Sequence, residues 1–217
     1  MALALFDLDN TLIVGDSDHY WGEFLIAKGL VSESEHREKN DQYYRDYLDS
    51  TLDINDYLHF AMGHFHGKSL TSVQPLLNEY VANVTPTIAP HSRELIEAHD
   101  SAGDTLVIVT ATNQILAQGV ASALGVNHLI ATDVRVEDGV IIGGLDGEAN
   151  FRDGKITKMK QWISQHGGSL SDAYFYSDSH NDIPLLEAVK WPIAVDPDEK
   201  LTNWALLNDH PIISLRD

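Results

Sequence analysis

Residues 5–12 read Leu-Phe-Asp-Leu-Asp-Asn-Thr-Leu, and this stretch decides the fold. It continues an apolar run at residues 3–6 that is typical of a buried parallel strand, and it puts Asp7 and Asp9 where that strand ends. Carboxylates at the carboxyl end of such a strand lie where open α/β sheets bind their ligands. Two neighbouring buried anions are costly without a compensating cation, so the pair indicates a hard divalent metal. The alternative is a pair of solvated loop aspartates.

The composition limits the class of protein. The 217 residues are 43% hydrophobic and include no cysteine, which predicts one domain, or a domain with an insertion, that lacks disulfides and cysteine-bound zinc. Lys and Arg number 14 against 33 Asp and Glu, and the net charge of −19 argues against nucleic acid and anionic membranes as partners. With no apolar run of membrane-spanning length and no signal-peptide pattern, we expect a cytoplasmic protein. The oligomeric state stays open.

Five apolar runs predict a parallel sheet, and helical patterns alternate with most of them; the runs lie at residues 3–6, 105–109, 128–131, 173–176 and 192–195. The gap between the first two runs is too long for one crossover. We therefore predict an α/β fold with a Rossmann-like core at residues 1–15 and 86–217, and a helical cap inserted at residues 16–85. An Asp-Gly pair within an alternating pattern predicts a hairpin at residues 134–142.

Polar residues follow the second predicted strand, where a helix begins at Gln114. A hydroxyl such as that of Thr110, beside the free N–H groups of a helix start, can bind phosphate oxygens, although a plain helix cap is the alternative. Lys155 opens another amphipathic helix. A cation is disfavoured at that end of a helix, so we expect it to have a partner, with Lys158 and Lys160 as competing candidates.

The fourth predicted strand runs into Ser-Asp-Ser-His-Asn-Asp at residues 177–182. Asp178 could form an Asx turn and Asp182 could cap the helix that follows. Those local roles do not explain why two more acidic residues gather at a second strand end. Carboxylates in such a position suit Mg²⁺, which keeps several water ligands that a substrate oxygen can replace.

The motifs DLDNTL, VTATN, a helix-opening lysine and SDSHND resemble, in this order, the four motifs of haloacid dehalogenase-type phosphatases. A helical insertion after the first motif is similar to subfamily IB, the phosphoserine-phosphatase-like group. The resemblance implies that Asp7 is the nucleophile and Asp9 the general acid and base, and that Lys155 steadies the phosphoryl group. An acid at position 9 also argues against dehalogenation, because a halide leaves without a proton.

The resemblance implies two binding sets as well. The Mg²⁺ set is Asp7, Asp9, Asp178 and Asp182, with Asp9 contributing its backbone carbonyl and Asp182 orienting metal-bound water. The phosphate-binding set is Thr110, Ala111, Asn113, Lys155 and Asn181.

The cap is expected to select the substrate. In phosphoserine phosphatases an acidic residue at the offset of Asp16 meets the substrate ammonium, although here Asp16 could equally cap a helix. His19 is a second candidate for specificity, and Arg37 or Arg45 could meet a substrate carboxylate. The implied substrate is a small phosphate monoester, either phosphoserine-like or histidinol phosphate. A phosphotransferase or phosphomutase, and a non-catalytic binding protein, remain as alternatives.

Overall fold

The strand that carries the aspartate pair is central to the sheet. In the computed structural model, which describes residues 2–217, six strands form a parallel sheet in the order β3-β2-β1-β6-β7-β8 and two form an antiparallel hairpin. The strands are β1 (Leu3–Phe6), β2 (Thr105–Asn113), β3 (His128–Thr132), β4 (Val134–Glu137), β5 (Val140–Leu145), β6 (Ala173–Ser177), β7 (Trp191–Val195) and β8 (Ile212–Ile213). All five predicted sheet strands are confirmed, and the two-residue edge strand β8 is an addition.

The apolar run of β1 is buried on both faces of the sheet. Leu5 packs on one face in an apolar cluster that includes Phe175 and Met159. Phe6 points to the other face and stacks on Tyr176, with ring centroids 5.3 Å apart. Because β1 lies between β2 and β6, the carboxyl ends of these three strands meet at one edge of the sheet.

Helices cover the sheet and fill the segment that follows β1. Within residues 2–217 they are α1 (Ser17–Ala27), α2 (Glu33–Leu48), α3 (Ile54–Met62), α4 (Leu70–Val84), α5 (Ser92–Ser101), α6 (Gln114–Leu124), α7 (Asp153–His166), α8 (Ile183–Ala188) and α9 (Glu199–Leu207). Helices α1 to α4 occupy the segment for which a helical cap is predicted; its status as a separate domain stays a prediction. Among the described residues, no helix has the length and apolarity needed to cross a bilayer.

The predicted hairpin is confirmed as β4 and β5, joined by Asp138 and Gly139, which both have positive φ as this tight turn requires. Its tip pairs with the insertion: Leu70 N–H donates to the Gly139 carbonyl at 2.9 Å, and Ile141 N–H donates to the Lys68 carbonyl at 2.9 Å. The hairpin therefore joins the insertion to the rest of the fold at a point away from β1.

Candidate active site

Asp7, Lys155 and Asp182 meet at the carboxyl edge of the sheet. Lys155 Nζ donates to Asp7 Oδ1 at 2.8 Å and to Asp182 Oδ2 at 2.7 Å, and all three side chains are buried. Burial alone would lower the pKa of Lys155, but the charges of Asp182 and Asp7 outweigh it and hold that pKa above its ordinary value. Burial raises the pKa of Asp7 to about 7 against the opposing effect of Lys155. One lysine thus bridges two carboxylates from different strand ends.

A strained loop before α7 presents Lys155. Arg152 has φ 53° and ψ −122°, a region that non-glycine residues rarely adopt. Gly154 is required by close packing, because a Cβ there would lie 2.0 Å from the Ala149 carbonyl oxygen. Of the competing lysines, Lys158 pairs with Asp133 at 2.6 Å and Lys160 is exposed. The structure therefore selects Lys155.

Asn150 ties this loop to the strand ends. Its Nδ2 donates to the carbonyl of Thr110 at 2.7 Å and to the carbonyl of Ile130 at 2.9 Å, and the residue is fully buried. Asn150 thereby fixes the loop before α7 relative to β2 and β3. Nothing in the sequence distinguishes Asn150 from a surface-loop asparagine.

Two short hydrogen bonds hold the carboxylate of Asp9. Ser17 N–H donates to Oδ1 at 2.6 Å, and the Thr112 hydroxyl donates to Oδ2 at 2.6 Å. Burial and the charge of Asp16 raise the pKa of Asp9 to about 6. A carboxyl with this pKa is suited to giving and taking a proton near neutral pH. Thr112 is not among the predicted site residues, although it lies within the VTATN motif.

The three residues predicted at the end of β2 have different environments. The Thr110 hydroxyl accepts the Thr112 N–H at 3.1 Å, and Ala111 lines the cleft above Asp7. Asn113 caps α6 through Oδ1, as the plain-cap alternative proposed, while its Nδ2 donates to Asp18 Oδ1 at 3.2 Å. Asn113 therefore contacts the insertion, and its part in phosphate binding stays a prediction.

The carboxylates suit a divalent cation that is held by few side chains. Partial burial and the charges of Asp7 and Asp182 raise the pKa of Asp178 well above its ordinary value. No three Asp, Glu or His side chains in residues 2–217 converge as a metal cage. Both carboxylate oxygens of Asp9 accept hydrogen bonds. Asp7 and Asp178 accept protein hydrogen bonds at Oδ1, and their Oδ2 atoms are the direct side-chain candidates. This donor set fits a Mg²⁺ that retains several water ligands.

A cleft over Asp7 and Asp9 lies between the sheet edge and the insertion. Among the described residues, those lining it include no lysine or arginine; they are Asp7, Asp9, Asp16, Asp18, His19, Asn40, Tyr43, Tyr44, Tyr47, Leu52, Ile54, Tyr57, Leu58, Thr110, Ala111 and Thr112. Arg37 pairs with Glu23 at 2.8 Å, and Arg45 donates to Gln42 at 2.8 Å, both outside the cleft. The predicted role of either arginine in holding a substrate carboxylate has no support.

The distal wall of the cleft is acidic and aromatic. Asp16 caps α1 by accepting the His19 N–H at 2.7 Å, and burial raises its pKa to about 6. Asp18 was not predicted; burial and the charge of Asp16 raise its pKa well above its ordinary value, against an opposing effect of the Tyr57 side chain. The His19 ring lies 5.6 Å from that of Tyr44, between centroids. Asp16 and Asp18 thus face the cleft, and neither forms a salt bridge with a lysine or arginine within residues 2–217.

The comparisons with known proteins cover nearly the whole chain. A family model described as haloacid dehalogenase-like hydrolase matches residues 4–187. A histidinol-phosphatase of Neisseria meningitidis serogroup C (strain 8013) is 37% identical over 99% of each chain. A protein of unknown function from Bordetella pertussis Tohama I superposes with a TM-score of 0.90 at 37% identity, over 99% of this chain and 98% of that one. A phosphoserine phosphatase solved as a phospho-aspartyl intermediate analogue superposes with a TM-score of 0.71 at 18% identity over 100% and 94%, which shows a shared fold.

Proposed function

Because the chain belongs to the haloacid dehalogenase-like hydrolase family, we propose that it is a phosphatase that releases inorganic phosphate from small phosphate monoesters. The observation that carries the proposal is the buried Asp7–Lys155–Asp182 bridge beside Asp9 at one edge of the sheet. The bridge supports Asp7 as the nucleophile. Its carboxylate attacks phosphorus, and the leaving oxygen departs as an aspartyl-phosphate forms.

Asp9 supplies the protons for both halves of the reaction. With a pKa raised to about 6, it gives a proton to the leaving alkoxide and then takes one from the water that hydrolyses the intermediate. Ser17 N–H and the Thr112 hydroxyl each donate to one of its two oxygens, and these bonds fix the orientation of the carboxylate. Lys155, with the Thr110 hydroxyl, stabilises the charge spread over the other phosphoryl oxygens.

The residues fit Mg²⁺ as the cofactor. Asp7 and Asp178, with the backbone carbonyl of Asp9, would hold the ion, and Asp182 would orient a water of its shell. When bound, Mg²⁺ neutralises charge that would otherwise repel an anionic nucleophile from an anionic phosphoryl group.

The cleft favours an amine-bearing leaving group without a carboxylate. Asp16 and Asp18 offer charge to an ammonium group, and the tyrosine side chains suit a ring or alkyl chain. A substrate carboxylate would meet these anions with no lysine or arginine among the described residues of the cleft lining. Histidinol phosphate fits both conditions and phosphoserine does not, in agreement with the name of the Neisseria relative.

Phosphate release from the purified protein tests the proposal. We expect hydrolysis of p-nitrophenyl phosphate with Mg²⁺, loss of activity with EDTA, and no activity in Asp7→Asn with its circular dichroism spectrum unchanged. We also expect kcat/KM for histidinol phosphate to exceed that for phosphoserine by at least about tenfold. Appreciable activity of Asp7→Asn would refute the nucleophile. Transfer of phosphate to a second substrate instead of water would indicate a phosphotransferase.

A further inference from the structure

One loop of the insertion contacts the acidic loop that follows β6. Ser50 lies between α2 and α3, and its hydroxyl donates to Asn181 Oδ1 at 2.6 Å. The other end of the same amide, Nδ2 of Asn181, donates to the Tyr47 carbonyl at 3.2 Å. Asn181 is buried, with 3% of its surface exposed. Both ends of its side chain are thus bound by atoms of the insertion, about 130 residues away in sequence.

The acidic loop is also held from its other side. Asp198, at the start of α9, accepts hydrogen bonds in its Oδ2 from His180 N–H at 2.8 Å and from His180 Nδ1 at 2.7 Å. The N–H of Asp198 donates to the Asp178 carbonyl at 2.9 Å. Residues 178–182 are therefore held between α9 and the Ser50 loop, and they include Asp178 and Asp182.

The backbone of Ser50 is in a conformation that costs energy. Its φ is 59°, in the left-handed region that serine seldom adopts. Such a conformation persists where the surroundings hold it, and it recurs at functional positions. Part of that support is the end of α2, where Ser50 N–H donates to the Tyr47 carbonyl at 3.0 Å and Thr51 N–H donates to the Asp46 carbonyl at 2.8 Å. The contacts of Ser50 with the acidic loop add to it.

A serine, a histidine and an aspartate are connected here as in a nucleophilic triad. Ser50 Oγ lies 3.1 Å from His180 Nε2, and His180 Nδ1 contacts Asp198. Two contacts argue against that role. The serine proton is directed to Asn181 at 2.6 Å, and Lys200 Nζ lies 3.2 Å from the same Nε2. The imidazole is therefore not free to take a proton from Ser50.

We propose that Ser50 is a positioning residue. Its hydrogen bond to Asn181 couples the position of the insertion over the cleft to the position of the Asp178–Asp182 loop, so that the two are set together. This inference rests on the proposed function. It predicts that the Ser50 hydroxyl affects turnover only through Asn181.

A double-mutant cycle tests the coupling. We compare wild type with Ser50→Ala, Ser50→Gly, Asn181→Ala and Ser50→Ala/Asn181→Ala, by kcat and KM for p-nitrophenyl phosphate with Mg²⁺ and by thermal midpoint. Ser32→Ala is the matched control, because Ser32 precedes α2 without a side-chain cap hydrogen bond. We expect Ser50→Ala and Ser50→Gly each to lower kcat/KM about tenfold, mainly through kcat, with little change in midpoint.

The double mutant should be no slower than Asn181→Ala. Additive losses, or Ser50→Ala with wild-type kinetics, would overturn the proposal. So would recovery in Ser50→Gly, because glycine relieves the strained backbone without restoring the hydroxyl.

Hydrogen–deuterium exchange separates this proposal from the proposed function. If the wild type hydrolyses no phosphate ester, the proposed function fails, and the inference is then judged on exchange at residues 177–182 alone. Faster exchange there in Ser50→Ala than in wild type and Ser32→Ala supports the link. Unchanged exchange removes it.

Discussion

The ammonium of Lys155 lies 2.7 Å from Asp182 Oδ2, where the side chains are only 1% and 2% exposed. Lys155→Met would leave Asp182 and Asp7 as buried anions without a protein cation. We expect a loss of at least about a hundredfold in kcat/KM and about 3 kcal/mol in the free energy of unfolding. Steady-state kinetics and urea denaturation measure the two effects.

Lys160→Met is the matched control for that variant. Lys160 lies on the same helix but is exposed, so its replacement should leave both quantities close to wild type. Equal losses in the two variants would mean that Lys155 has no special role.

Thr112→Val tests how Asp9 is held. The substitution keeps the shape of the side chain but removes the hydroxyl that donates to Asp9 Oδ2 at 2.6 Å. We expect kcat/KM to fall about tenfold for an alkyl phosphate and much less for p-nitrophenyl phosphate, whose leaving group needs no proton. Thr157→Val, on α7, is the control because Thr157 donates only to its own helix. A uniform loss on both substrates would contradict the role of Thr112.

Asp16→Asn tests selection of the amine. Asparagine can still cap α1, so the substitution removes charge while preserving the helix start. We expect kcat/KM for histidinol phosphate to fall at least about tenfold more than for p-nitrophenyl phosphate. Asp53→Asn is the control: it changes the cap of α3, outside the cleft lining, and should leave kcat/KM for both substrates unchanged. Equal losses on both substrates in Asp16→Asn would remove Asp16 from substrate choice.

Acid stability should depend on Asp104. The hydrogen bond from His99, at 2.9 Å between Nδ1 and Oδ2, lowers the pKa of Asp104 below its ordinary value. A lowered pKa stabilises the fold above the unfolded-state pKa near 4, and the contribution disappears as pH falls through the folded-state pKa. We expect Asp104→Asn to cost about 1 kcal/mol at pH 7 and progressively less below about pH 4.

Urea denaturation at pH 7 and at pH 3 measures this dependence. Asp100→Asn is the control, since Asp100 is exposed on α5, next to His99, and its replacement should give a small difference at both pH values. A cost for Asp104→Asn that is the same at pH 7 and pH 3 would contradict the assignment.

The sequence predicted the elements that follow from periodicity and turn chemistry. The Asp138–Gly139 turn and the run before Asp7 are local signals, and both predictions are confirmed. Strand β2 runs four residues beyond its predicted end, because Asn113 still pairs with Thr132 across an irregular register. Edge strand β8 has only two residues, too few to form a pattern.

The site residues also fall into those that local sequence predicts and those that it does not. The predicted ones stand in recognisable sequence motifs; they are Asp7, Asp9, Lys155, Asp178 and Asp182. Asp18, Thr112 and Asn150 act through partners distant in sequence, such as the 3.2 Å contact of Asn113 with Asp18. Sequence patterns show neither those partners nor the side-chain orientation, which is why Arg37 and Arg45 stayed open as ligands for a substrate carboxylate.

The central place of β1 has a consequence for how the molecule is made. The strand ends at Phe6, yet its two neighbours begin at residues 105 and 173. Such distant pairings close large loops, and folding that depends on them is slow. A ribosome must therefore release the residues up to the end of β6 before Asp7 acquires its surroundings, and a fragment that ends before residue 173 would leave one edge of β1 unpaired and prone to aggregation.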